Sequence, residues 1–204
     1  VAALGAGALL AGCSDGLLAG LGRRPLAAFA GPTMGTTWSA KLAGTLADGI
    51  AARAEGAVAA ALAGVVERMS AHLATSELGR FNRHASTEPF AVSRETIEAF
   101  RLARAVSEAT GGAFDVTVAP AVDAWGFGPA GRAGLPTERD LVSLASRIGY
   151  RQVAIDEAAL TLAKSRPDVR ADLSGIAKGY GVEHAARSLD ALGARDHLVE
   201  AGGE

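Results

Sequence analysis

Asp172 and Lys178 are the side chains of this sequence best placed to do chemistry, within Val169-Arg170-Ala171-Asp172-Leu173-Ser174-Gly175-Ile176-Ala177-Lys178-Gly179-Tyr180-Gly181-Val182. Alternation over Val169 to Leu173 predicts a short strand, followed by a tight turn carrying a carboxylate and then a helix. Ser174 is expected to cap that helix by accepting a backbone N–H bond. A helix start offers free N–H groups and partial positive charge, which suits a phosphate, and Lys178 adds a full charge one turn in. Asp172 stands opposite as a hydrogen-bond acceptor or an indirect metal partner. Strand-turn-helix units with a Gly and a Lys are common, and most of them bind nothing.

Other candidates are spread along the chain. Gly111 and Gly112 precede Ala113-Phe114-Asp115. Paired glycines let backbone approach a ligand closely, and Asp115 can accept from ribose or base donors. The plainer alternative is an Asp facing solvent at the start of a strand. Met34 follows Gly31-Pro32-Thr33 and on its own reads as core filler. His72, His84, His184 and His197 are scattered and Cys13 is the single Cys, so a zinc cluster is not expected.

The elements that must position these residues follow from periodicity. Pro32 and the neighbouring glycines predict a turn, with a strand over Thr37 to Leu42. Ile50, Ala54, Ala57, Val58, Ala61, Leu62, Val65 and Met69 fall at helical spacing and predict an amphipathic helix over about 50–69. Ser76 is expected to cap a short helix with Leu78 and Phe81 facing inward. A helix from about Arg94 to Ala109 is predicted to end at Gly111-Gly112, and a β-rich strand to run from Ala113 to Pro120. Thr137 to Asp140 resembles a capping box opening a helix whose buried face is Leu141, Leu144, Ala145 and Ile148. Val153 to Ile155 and Leu160 to Ala163 read as a hairpin. The helix after Ser174 carries Val182, Ala185, Ala186, Leu189 and Leu192 on one face, stops at Gly193, and leads to a last strand over His197 to Ala201.

At 204 residues the chain fits one medium domain or part of a larger one. It is 49% hydrophobic but only 5% aromatic, which favours helix-rich packing of small side chains over an aromatic β-sandwich. A net charge of −2 with intermixed signs gives no basic footprint for nucleic acid. The apolar run Val1 to Leu10 is too short to span a bilayer but fits the core of a secretory signal. Leu10-Ala11-Gly12-Cys13 resembles the bacterial lipobox, so residues 1–12 are expected to be a signal remnant, Cys13 a lipidated anchor, and 13–30 a tether.

Asp172-Leu173-Ser174-Gly175-Ile176-Ala177-Lys178-Gly179-Tyr180-Gly181 resembles the signature of the FAD:protein FMN transferases, the ApbE-like family of bacterial envelope flavin transferases. Four further segments are similar to the family pattern in the same order. They are Met34-Gly35-Thr36-Thr37, the Ser76-to-Asn82 segment, Gly111 to Asp115 with Trp125-Gly126-Phe127-Gly128, and Gly202-Gly203-Glu204. His72 departs from the family, which usually has Tyr or Trp there beside the flavin.

By that resemblance Met34, His72, Ala113, Phe114, Asp115, Asp172 and Lys178 contact FAD, and the Gly175 carbonyl is one Mg²⁺ ligand. The implied reaction is Mg²⁺-dependent transfer of FMN from FAD to a Thr or Ser hydroxyl of an envelope flavoprotein, releasing AMP. An FAD pyrophosphatase and a lipid-anchored flavin binder without turnover are the alternatives. The implied location is a membrane lipoprotein facing the periplasm. The family's other metal ligands and its His base lie beyond the final turn. Residues 31–204 are therefore expected to be the transferase domain without its C-terminal part, inactive on its own. Mixed helices and strands without βαβ alternation give an α+β fold, a mixed sheet with packed helices. Gly175 and Gly179 lack the G-x-G-x-x-G spacing, so the fold is not Rossmann.

Overall fold

The computed structural model describes residues 26–44, 46–129, 131 and 135–204. Cys13 and the expected leader lie outside the described residues. β1 (Leu26–Thr33) and β2 (Thr36–Ala43) pair antiparallel, with Thr33 opposite Thr36. The first strand thus begins inside the segment expected to be tether, and residues 26–30 belong to the domain. The turn falls at Met34 and Gly35, with φ of 47° and 73°, and Gly31-Pro32 lies within β1 instead of forming it. Two successive positive φ values match the twist of a hairpin. Pro32 is tolerated because β1 is the edge of a three-stranded sheet ordered β1-β2-β6, where β6 is His197–Ala201. Along β2, Trp38, Ala40 and Leu42 alternate into the core.

Beneath this sheet runs α1 (Ile50–Met69), packed on α6 (Ser174–Ala191). The predicted helical stripe is the buried one: Ala54, Val58, Leu62, Val65 and Met69. Val58 and Leu62 join Trp38, Leu42 and Leu189 in one apolar cluster. Val65 and Met69 join Phe81, Phe100, Leu162 and Leu173 in a second. α1 therefore spans two cores, and truncating Leu62, which is 1% exposed, would cost about 2–5 kcal/mol.

The second half of the domain holds α2 (Glu77–Arg83), β3 (Phe90–Ala91), α3 (Arg94–Ala109), β4 (Val153–Asp156) and β5 (Thr161–Lys164). The β4–β5 hairpin forms as expected, in an antiparallel sheet ordered β3-β5-β4. Ser76 caps α2 by accepting from the Gly79 N–H at 2.8 Å. Glu77 ties α2 to α3, its Oε2 accepting from the Ser93 N–H at 3.0 Å and the Thr96 hydroxyl at 2.6 Å. Burial pushes the Glu77 carboxyl up, yet the combined hydrogen bonds from Thr96 and Ser93 leave it below its usual value. Lys164 is buried and closes the end of α2, Nζ donating to the carbonyls of Asn82 at 3.2 Å and His84 at 2.8 Å.

The strand expected over Ala113 to Pro120 is absent. Val116–Val118 is a 3-10 turn that runs into α4 (Ala119–Ala124). Pro120 sits in the first turn of α4, where its missing N–H costs nothing. α5 (Glu138–Ala145) opens on the predicted capping box of Thr137 and Asp140. Of its expected buried face, Leu144 is buried and Ile148 half-buried, but Leu141, 41% exposed, and Ala145 face solvent. The architecture is α+β as expected, and every described strand pairing is antiparallel, unlike a Rossmann sheet. No helix among the described residues is long and apolar enough to cross a membrane.

Candidate functional site

The β1–β2 turn, the end of α1 and the start of α6 enclose a cleft of about 420 Å³, lined among others by Met34, Val65, Met69, His72, Ser174 and Lys178. Met34 occupies a left-handed backbone position that a non-Gly residue rarely takes, at φ 47°. Its side chain packs against both apolar clusters, and a Cβ on Gly181 would come within 3.1 Å of Met34 Cε. The thioether is therefore wedged at the seam of the two cores, with the cleft in front of it. His72 lies exposed on the loop after α1. That loop is tied at both ends: Ser76 Oγ donates to the Ser70 carbonyl at 2.6 Å, and the Leu73 N–H donates to Ser70 Oγ at 3.1 Å.

At the other wall, Val169 to Leu173 forms no strand and pairs with none. The cap of α6 also differs from expectation. Ser174 is the first helical residue, and Asp172 Oδ1 accepts from its backbone N–H at 2.7 Å and its hydroxyl at 2.5 Å. Asp172 thus closes the helix start, because a carboxylate placed two residues ahead reaches N–H and hydroxyl together. Its Oδ2 makes no hydrogen bond or ion pair among the described residues. Lys178, half-buried, has no carboxylate partner among the described residues. A Cβ on Gly202 would sit 2.7 Å from Thr36 Cγ2 and 3.3 Å from Lys178 Nζ, so the final glycine turn lies close against both side chains. Gly202 and Gly203, at φ 61° and 93°, supply that turn. Gly175 is exposed, and a Cβ there would meet the Phe114 ring at 3.0 Å.

A second cleft of about 220 Å³ adjoins the first, lined in part by His72, Asn82, Arg83, Asp123, Arg170 and Asp172. Arg170 pairs with Asp123 at 2.6 Å across it. His72 borders both clefts. Two predicted groups of site residues thus converge: Met34, His72 and Lys178 on the first cleft, His72 and Asp172 on the second. Ala113, Phe114 and Asp115 line neither. Asp115 is committed to the fold: Oδ1 accepts from the Thr117 N–H at 2.7 Å and its hydroxyl at 2.6 Å, and Oδ2 from the Tyr150 N–H at 2.7 Å. Sequence reading passed over Asn82, Arg83, Asp123 and Arg170; only Arg80-Phe81-Asn82 carried a signal, and it reads as structural. Among the described residues no three His, Cys, Asp or Glu side chains gather as a metal site. The Gly175 carbonyl and the remaining Asp172 oxygen fall short of the six oxygens that Mg²⁺ takes.

A profile of the ApbE family matches residues 34–204, from the hairpin turn to the last residue. The chain belongs to the ApbE family. It is 40% identical over 179 residues to an FAD:protein FMN transferase of Vibrio cholerae, covering 86% of this chain and 52% of that protein. A Haemophilus influenzae FAD:protein FMN transferase is 38% identical over 184 residues, again 86% of this chain and 52% of the relative. Among solved structures, the flavin transferase ApbE from Vibrio cholerae superposes with a TM-score of 0.83 at 38% identity, covering 88% of this chain and 58% of that one. The apo flavinyl transferase ApbE of Pseudomonas stutzeri gives 0.81 at 30% identity, covering 90% and 60%. The chain spans about half the length of the curated relatives it matches.

Proposed function

We propose that this protein transfers FMN from FAD to a hydroxyl of an acceptor protein. The observation that carries the proposal is the shape of the first cleft: apolar Met34, Val65 and Met69 on one wall, the α6 start with the Lys178 ammonium on the other. An apolar wall takes an aromatic ring system, and a helix start with a lysine takes a pyrophosphate. FAD carries both. In the transfer, the acceptor oxygen forms a bond to the phosphorus of the FMN half while the phosphoanhydride bond to AMP breaks. AMP leaves with the bridging oxygen, and the hydroxyl proton passes to a base. The Lys178 ammonium opposes the charge that collects on the phosphate oxygens, and Asp172 accepts from a ligand donor through Oδ2. Met34, Val65 and Met69 keep water from the ring. No described His has a geometry that assigns it the proton.

Several finer features belong to the same proposal. The acceptor hydroxyl is that of Thr or Ser on an envelope flavoprotein. Mg²⁺, when bound, would neutralise phosphate charge, and the Gly175 carbonyl is the ligand this chain would offer it. The protein is a lipoprotein anchored through Cys13 at the bacterial envelope and faces the periplasm, where such an acceptor would be met. Names of the relatives support the reaction class, as FAD:protein FMN transferases.

The test is incubation of the full-length protein with FAD, Mg²⁺ and an acceptor domain, followed by intact-mass analysis. An acceptor that gains the mass of FMN, with AMP released, is the expected result. Free FMN and AMP without adduct would replace the reading by an FAD pyrophosphatase, and intact bound FAD by a flavin binder.

A further inference from the structure

Asn82 and Ala171 are far apart in sequence, yet one side chain satisfies both backbone groups of the other residue. Asn82 Nδ2 donates to the Ala171 carbonyl at 2.8 Å, and the Ala171 N–H donates to Asn82 Oδ1 at 2.8 Å. Ala171 is fully buried, so without Asn82 its N–H and carbonyl would lack partners. The side chain does for this segment what a neighbouring strand would do for a strand. Asn alone combines a donor and an acceptor at this reach: Asp offers two acceptors, and Gln is a methylene too long. The next residue is held from the opposite side, the Asp172 N–H donating to the Val116 carbonyl at 2.7 Å. Asn82 is itself anchored, its carbonyl accepting from buried Lys164 at 3.2 Å.

We infer that Asn82 is a positioning residue for Asp172, clamping Ala171 so that the following carboxylate meets FAD at the start of α6. The inference rests on the flavin-transferase reading above. Asn82 itself also borders the second cleft, so the test must separate action through Asp172 from direct contact. Freed from the clamp, the Ala171–Asp172 segment can lift, and the carboxylate loses its setting against Ser174. Removing a residue that orients a metal ligand typically costs about ten- to a hundred-fold, and a loss of the same order is expected for this clamp.

The test is titration of the full-length protein with FAD, following flavin fluorescence, alongside circular-dichroism melts. Asn82→Ala and Asp172→Ala are each expected to weaken FAD binding about tenfold or more. The double variant is expected to bind no more weakly than Asp172→Ala alone, because both changes remove one carboxylate's contribution. Asn82→Asp keeps size and the acceptor but loses the donor to Ala171, and is expected to shift affinity in the same direction by less. If Asp172→Ala leaves FAD affinity unchanged, the site reading itself falls, and the Asn82 role with it. If Asp172→Ala weakens binding while both Asn82 variants bind like the parent, the site stands and the positioning role is overturned. Losses that multiply in the double variant overturn it too, since Asn82 would then act independently of Asp172. So does failure of both Asn82 variants to fold, which would make the residue one of the fold.

Discussion

Gly79→Ala tests whether the loop bearing His72 is held by backbone packing. Gly79 lies in the first turn of α2, where Ala ordinarily favours a helix over Gly by about 1 kcal/mol. Here a Cβ would stand 2.3 Å from the Leu73 carbonyl oxygen and 3.0 Å from that of Ala74. Neither oxygen can rotate away, so the loop must move by about 1 Å to reach ordinary contact distance. That movement works against the Ser76 N–H bond to Leu73 at 3.0 Å and the Ser76 Oγ bond to Ser70 at 2.6 Å. Two hydrogen bonds at about 0.5–1.5 kcal/mol each, with an overpacking cost of about 1–3 kcal/mol, outweigh the helix gain. The net expectation is a loss of about 1–5 kcal/mol, or roughly 2–20 °C in Tm for a domain of this size. Thermal melts of the ligand-free full-length protein measure it, and an FAD titration should show weaker binding because His72 moves with the loop. An unchanged or higher Tm would refute the reasoning, since it would mean that the loop yields at no cost.

Lys178→Ala should weaken FAD binding while leaving the ligand-free Tm nearly unchanged, because the ammonium has no carboxylate partner among the described residues; equal affinity in titrations removes Lys178 from the site. Asp115→Asn should lower Tm, since an amide cannot accept at both oxygens and one of the Thr117 or Tyr150 N–H groups loses its partner, at about 1–3 kcal/mol; a melt like the parent's counts against that role. Burial, with Arg170 nearby and Asp168 opposing, brings the Lys164 ammonium from 10.5 down to about 8, so the folded protein releases this proton before the unfolded chain does. Stability should therefore rise by about 3 kcal/mol between pH 8 and 10.5 and be flat below pH 8, where both states hold the proton; denaturant melts of the parent against Lys164→Met across that window should differ in slope, and parallel curves exclude the effect. Cys13→Ser in the full-length protein should move it from the membrane to the soluble fraction, and an unaltered distribution would end the lipoprotein proposal.

Much of the fold was legible because it obeys local rules. The α1 stripe from Ala54 to Met69, the Ser76 and Thr137 caps and the β4–β5 hairpin need only periodicity and short-range hydrogen bonding. The failures came where distant partners decide. Ala113 to Pro120 has strand-forming residues, yet the distant Tyr150 and Gly149 N–H groups donate to Asp115 and Thr117, holding a 3-10 turn in place of a strand. Val169 to Leu173 alternates like a strand, but its partner at Ala171 is the side chain of Asn82, which no strand rule anticipates. Leu141 and Ala145 fall on the helical face that buries Leu144, yet both are exposed, because no described element covers them. Within the site, Met34, His72, Asp172 and Lys178 were visible as residues, but the second cleft with Arg83, Asp123 and Arg170 exists only in the folded chain.

Asp115-Val116-Thr117 and Asp172-Leu173-Ser174 show why a motif alone could not sort the two carboxylates. Each Asp accepts, through one oxygen, from the N–H and the hydroxyl two residues ahead, and each opens a helical turn. By composition and local geometry they are the same device. The difference lies at the second oxygen. Tyr150 donates its N–H to Asp115, so that carboxylate has little left for a ligand. The second oxygen of Asp172 has no such donor among the described residues, and the residue borders the cleft with His72 and Arg170. The two are also joined: Val116, set by Asp115, presents the carbonyl that receives the Asp172 N–H. One aspartate therefore builds the turn against which the other is placed.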